Sequence, residues 1–191
     1  DWSSDVCSSD LAPGAEALGD LVLGERRLRD PAGDVVRATR GDDGAGRDVL
    51  RIPSAVAAER RAAAVSALRP LCGVVADHLI TLHALHPGDH GLDLVLDPLV
   101  GRDCSGIVGG SPPALDQVED WLAQAADGLW VAAKHGVIHG DLDPRGLLLG
   151  TDGRLRLWGF ALGACRRAGD PDHARQVQAY RAPEATERGA P

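Results

Sequence analysis

A chain of 191 residues with 44% hydrophobic and 25% charged side chains is long enough for a sizeable core and has the make-up of a soluble globular protein. Its net charge of -8 and 3% aromatic content argue against a nucleic-acid surface or a stacking platform for single strands, and 19 Arg against one Lys fits GC-rich coding DNA better than a basic patch. Four cysteines, at 7, 72, 104 and 165, form no close pair, which reads as a reduced, cytoplasmic protein, and no apolar run approaches the roughly 18 residues of a membrane span.

The first eleven residues look like a translated sequencing adapter and are set aside as non-native; with no Met in the sequence, the native part is expected to begin at a cut edge of a reading frame. Residues 12–19 read as a linker. Residues 21–23 and 34–39 have strand composition and are joined by turn residues at 29–33, so a hairpin is predicted. A third strand is expected over 48–52, bounded by Gly46 and Pro53. Residues 55–68 are Ala-rich with helical apolar spacing, and Pro70 ends them. Two more strands, 79–83 and 92–96, flank a turn-rich stretch at 87–91. His83, His86 and His90 lie around that turn without the helical spacing of a zinc site and are read as solvated. A long amphipathic helix follows Ser111, with Leu115, Val118, Leu122, Ala125, Ala126, Leu129 and Ala133 expected on its buried face and Gly136 as its stop. A second hairpin is predicted from 147–149 and 154–158, and residues 166–178 carry no clear pattern.

Between the long helix and the second hairpin stand His139, Asp141, Leu142 and Pro144, a loop that holds one carboxylate at the lip of a sheet. The pattern resembles the catalytic loop of protein kinases, H-R-D-L-x-x-x-N, followed by a degenerate D-F-G at 159–161. Four further elements match in order. Gly33 and Val35 fit the end of the glycine-rich loop; residues 48–51 fit V-A-I-K with Arg51 for the Lys; residues 97–102 fit the hinge; Ala182, Pro183 and Glu184 fit A-P-E. The resemblance implies an α+β, protein-kinase-like bilobal fold, with a small antiparallel-sheet lobe over 12–96 and a hinge and incomplete helical large lobe over 97–191. The fragment is expected to be truncated at both ends.

The chemistry it implies is impaired. Gly146 stands at the metal-binding Asn and Gly159 at the D-F-G Asp, and neither has a side-chain oxygen. Arg51 is larger and more planar than the phosphate-anchoring Lys, and Leu28 and Asp30 replace two loop glycines. Glu59 is the one acid available in the 55–68 helix to pair with Arg51. By the resemblance, Asp141 remains as a vestigial base beside His139, and Val35, Val49, Leu99 and Leu148 supply the adenine pocket, Leu99 through its N–H. The expected function is that of a bacterial pseudokinase with a regulatory or scaffolding role and a protein partner. It would bind ATP weakly at best and without magnesium, and would bind no nucleic acid. The alternative is an active Ser/Thr protein kinase with unusual metal ligands, Asp143 or Asp152.

Overall fold

Two apolar faces alternate along residues 21–52, and a period of two in side-chain direction is what an antiparallel sheet with both faces covered requires. A computed structural model describes residues 16–41, 44–107, 112–170 and 173–181; the adapter-like stretch and the Ala182, Pro183, Glu184 segment lie outside the described residues. Strands β1 (Glu16–Leu18), β2 (Leu21–Asp30), β3 (Gly33–Arg40), β4 (Gly46–Pro53), β5 (Leu82–Gly88) and β6 (Gly91–Leu96) form one sheet in the order β1-β2-β3-β4-β6-β5. All its neighbours are antiparallel.

The register fixes what each face carries. Leu28, Val35, Leu50, Leu94 and Leu85 lie in one row across four hydrogen-bonded pairings and face the main core. Val36, Val49, Val95 and Ala84 form the next row, on the opposite face, where Leu21, Leu23 and Ala38 join them. Two expectations need correcting here. Part of the predicted linker pairs with β2 as an edge strand, turned by Gly19 at φ 61°. The strand predicted at 79–83 forms instead from Leu82, because Leu79 and Ile80 pair with a strand of the second lobe.

Helix α1 (Ala58–Leu68) buries Ala64 and Leu68 against the sheet. The second lobe holds a two-residue strand β7 (Arg102–Asp103), the long helix α2 (Leu115–Lys134), and strands β8 (Leu147–Leu149) and β9 (Leu155–Leu157). β7, β8 and β9 make a small antiparallel sheet. Helix α2 packs on β9 through a face offset from the predicted one: Gly128 and Ala132 are buried, whereas Leu115 and Leu122 are exposed at 73% and 64%. Small residues win that face because the carbonyl of His78 and the Leu157 side chain would stand 2.7 Å from any Cβ at Gly128. Two short helices, α3 (Gly163–Gly169) and α4 (His173–Val177), occupy the stretch that has no pattern in sequence.

One buried cluster joins the lobes. Val35, Leu50 and Leu94 of the sheet, Leu68 of α1, and Leu155, Leu157, Phe160 and Leu162 of the second lobe belong to it. Each such side chain contributes about 2 kcal/mol of burial free energy. Backbone bonds add to the joint, with the Ile80 N–H donating to the Leu157 carbonyl at 2.9 Å and the Leu157 N–H to the His78 carbonyl at 3.0 Å.

Candidate functional site

The loop from His139 to Gly146 runs between the lobes and is shaped by its own side chains. Asp143 caps the single-turn helix Pro144–Gly146, accepting from the N–H of Arg145 at 2.9 Å and of Gly146 at 3.2 Å. His139 is buried, donates from Nε2 to the Trp158 carbonyl at 3.1 Å, and lies with its ring centroid 4.5 Å from that of Phe160. Burial, and after it the nearby Arg166 charge, pushes His139 down to about 4, so it is a neutral packing group near pH 7. Its Nδ1 faces the Asp141 N–H at 3.4 Å, which orients the next carboxylate.

Asp141 is almost wholly buried and faces one histidine and two arginines. Nε2 of His173 donates to it at 2.7 Å, and Nη1 of Arg166 and Nη1 of Arg167 each stand 3.7 Å from one of its oxygens. Burial would raise its pKa, but the His173 bond and these charges outweigh burial and hold the carboxyl below the usual range. Nδ1 of His173 accepts from Arg145 at 2.7 Å, so Arg145, His173 and Asp141 form a relay of hydrogen bonds.

Arg166 is the centre of the site. Its side chain is 1% exposed, and its fork grips Asp30 of the β2–β3 turn from Nε at 3.1 and 3.2 Å and from Nη2 at 2.8 Å. The guanidinium lies against Gly159, where an added Cβ would meet Nη2 at 2.4 Å, and Gly159 itself has φ 81°. A side chain at 159 is thus opposed both by the cation and by the left-handed backbone. Burial disfavours the charge on Arg166, but the charge and hydrogen bonds of Asp30 together with the charges of Asp141 and Asp143 outweigh it and raise the pKa above the ordinary value. Behind Gly159 and Phe160, an apolar cavity of about 30 Å³, lined by Leu50, Leu68, Leu94, Trp158 and Leu162, has room for about one or two waters.

At the hinge end, a second carboxylate faces the cleft. Asp48, fully buried, accepts from the Leu99 N–H at 2.7 Å, from Nη1 of Arg27 at 2.7 Å and from Nε of Arg37 at 3.1 Å. The Leu99 N–H expected to meet adenine is therefore bonded within the protein. Val35 and Leu148 are buried in the interlobe cluster. Val49 and Arg51 are not with them. The cleft face of β4 carries Asp48, Leu50 and Ile52, one residue out of step with the motif match, so Val49 packs in the outer cluster. Arg51 reaches Glu16 from two nitrogens at 2.6 Å and Asp93 at 3.2 Å. The expected Arg51 and Glu59 pair is not made: Glu59 is exposed in the first turn of α1. Gly33 is required by packing, because a Cβ there would stand 1.9 Å from the Arg51 carbonyl oxygen.

The remaining expectations fall into place around these. Gly146 is buried, and a Cβ there would lie 3.3 Å from the Trp158 carbonyl oxygen and 3.4 Å from the His139 ring. Asp143 is held by Arg145 at 2.7 Å, and Asp152 by Arg156 at 2.7 Å with its carboxyl lowered to about 2 by that bond. His83 pairs with Asp97 and His90 with Asp93, so neither is simply solvated. Among the described residues, no group of three or more His, Cys, Asp or Glu is placed to hold a metal ion. Sequence reasoning missed Asp48, Arg166, Arg167 and His173. The Arg166, Arg167 doublet soon after Gly159 was the available signal, since a position without a side chain leaves room for a neighbouring guanidinium.

No protein-family model matches the chain. Cyclin-dependent kinase F-1 of Oryza sativa subsp. japonica is 34% identical over 130 residues, a stretch covering 65% of this chain and 26% of that protein. The PknI kinase domain of Mycobacterium tuberculosis superposes with a TM-score of 0.70 at 16% identity, covering 80% of this chain and 62% of that one. A point mutant of the same domain gives 0.68 at 19% identity, covering 80% and 64%. The chain thus spans about a quarter of the rice kinase and less than two thirds of the mycobacterial domain. The fold is protein-kinase-like: a curled antiparallel-sheet lobe joined to an incomplete helical lobe.

Proposed function

We propose that this chain is a bacterial, cytoplasmic pseudokinase domain, with its small lobe over 12–96 and the hinge and start of its large lobe over 97–191, that acts by engaging a protein partner instead of phosphorylating one. The observation that carries the reading is the place of Arg166. A guanidinium seated between Asp30 and Asp141, against the bare Gly159, stands where a kinase of this pattern would gather metal and phosphate charge. At the other end of the cleft, Asp48 takes up the hinge N–H of Leu99, the group an adenine edge would use. In this reading a magnesium-bound nucleotide does not fit, because a guanidinium already occupies the phosphate end of the cleft. Asp141 is a vestigial base in this reading, because its proton-accepting oxygen is taken by His173. His139, Val35 and Leu148 serve packing.

The competing reading, an active Ser/Thr kinase that recruits Asp143 or Asp152, draws no support from the geometry, since arginines hold both carboxylates. Radiolabelled ATP with magnesium or manganese and a generic protein acceptor separates the two readings. The expected result is no transfer above background, the same as in an Asp141→Asn variant. Robust transfer that disappears in that variant would establish the kinase.

A further inference from the structure

We infer that Arg166 is a tethered cation that latches the β2–β3 turn onto Asp141, so that the chain fills the phosphate end of its own cleft and holds its two lobes closed with neither nucleotide nor metal. The inference rests on the pseudokinase reading and adds to it a mechanism for the closed shape a partner would meet. Three parts of the chain converge at the latch. Asp30 comes from the sheet lobe, Asp141 from the loop of the helical lobe, and Arg166 from α3, 136 residues from Asp30 in sequence.

Several details indicate a built arrangement. Oδ1 of Asp30 also accepts the Ala32 N–H at 2.8 Å, so one carboxylate both shapes the turn and receives the fork. Helix α3 starts close enough to the loop that a Cβ at Gly163 would stand 3.0 Å from Cβ of Asp141. The guanidinium carbon lies 5.5 Å from the Trp158 ring, an added attraction for a desolvated cation. Nη1 of Arg166 is buried with no hydrogen-bond partner among the described residues and points its charge at Asp141 from 3.7 Å. Removing one member of such a group leaves the others buried without their full counter-charge, so the closed arrangement depends on all three being present. Gly159 and Arg166 are thus two halves of one exchange. The carboxylate that would recruit a metal is gone, and its space is taken by a cation that needs no recruitment.

Hydrogen exchange at the Ala32 and Gly33 amides in the whole chain reads the latch directly. Asp30→Asn keeps the side-chain oxygen that caps the turn but removes the charge, and Arg166→Met keeps the length of the side chain. Each is expected to speed exchange at the turn by about tenfold or more while β4 and β6 stay protected, and the double variant is expected to exchange little faster than either single. Turn exchange unchanged in Asp30→Asn, or single effects that multiply in the double, overturns the latch. Should Arg166→Met unfold the chain, Asp30→Asn alone decides. Failure of the latch with no phosphoryl transfer leaves the pseudokinase reading standing, and transfer by the unaltered chain removes that reading whatever the turn does.

Discussion

Two clusters of opposite charges sit on the two sides of one sheet, and they differ in what holds them. On the outer face, Arg51 joins Glu16 and Asp93, with His90 2.8 Å from Asp93; Asp93 is buried, but the Arg51 side chain is 25% exposed and Glu16 is 58% exposed. In the cleft, Arg166 and its partners Asp30 and Asp141 are each at most 3% exposed. The motif match gives the functional cation as Arg51, whereas burial and geometry give it as Arg166. The contrast teaches that a charge matched to a motif by position still depends on which face of the strand it occupies. A single step of register moves it from the cleft to the outside.

The sharpest way to break this comparison is to remove each cation in turn. Arg166→Ala leaves Asp30 buried without its cation and takes one of the two arginine charges from Asp141, and it is expected to cost about 4 kcal/mol in urea denaturation. A loss near that of an ordinary surface arginine would mean the cleft cluster is not desolvated as described. Acid titration comes next. His139 is at about 4 in the folded chain against 6.5 when unfolded, so the folded state binds fewer protons between those values. Its contribution to stability is therefore complete above about pH 6.5 and disappears as pH falls through 4, a loss of about 3 kcal/mol. Denaturation midpoints at pH 7 and near pH 4 should converge in His139→Gln relative to the unaltered chain, and an unchanged pH slope in that variant would contradict the assignment.

Smaller effects sharpen the other side of the contrast. Arg51→Ala is expected to cost about 1 kcal/mol, since Arg51 and Glu16 are partly solvated and the buried Asp93 keeps His90 as a partner. A cost equal to that of Arg166→Ala would erase the distinction between the clusters. Ala161, at φ 54°, holds the position of the D-F-G glycine in a left-handed conformation. Ala161→Gly should stabilise by no more than about 1 kcal/mol, because relief of that strain is partly offset by the greater chain entropy of Gly.

Much of the fold was legible because its signals are local. The hairpin of residues 21–39, the β8–β9 hairpin and α2 follow from alternation, turn residues and helical spacing, and His139, Asp141 and Phe160 are recognisable by their order along the chain. The face of β4 was not legible. Within residues 47–52 both registers bury apolar side chains, Val49 on one face and Leu50 with Ile52 on the other, and only the pairing with β3 and β6 chooses between them. Nor does a lone Asp48 next to a Gly-bearing turn advertise a buried acid; its arginine partners lie on β2 and β3. Arg166 was hidden for a different reason. Its meaning depends on Asp30, far away in sequence, and on an absence at Gly159, and neither leaves a periodic trace.

In the proposed pseudokinase, protein side chains stand in for the metal and nucleotide contacts of this cleft. Calorimetric titration of the chain with ATP, in magnesium and again in a chelator, tests it most directly. The account predicts binding no stronger than millimolar and the same in both conditions. Micromolar binding that requires magnesium would contradict it.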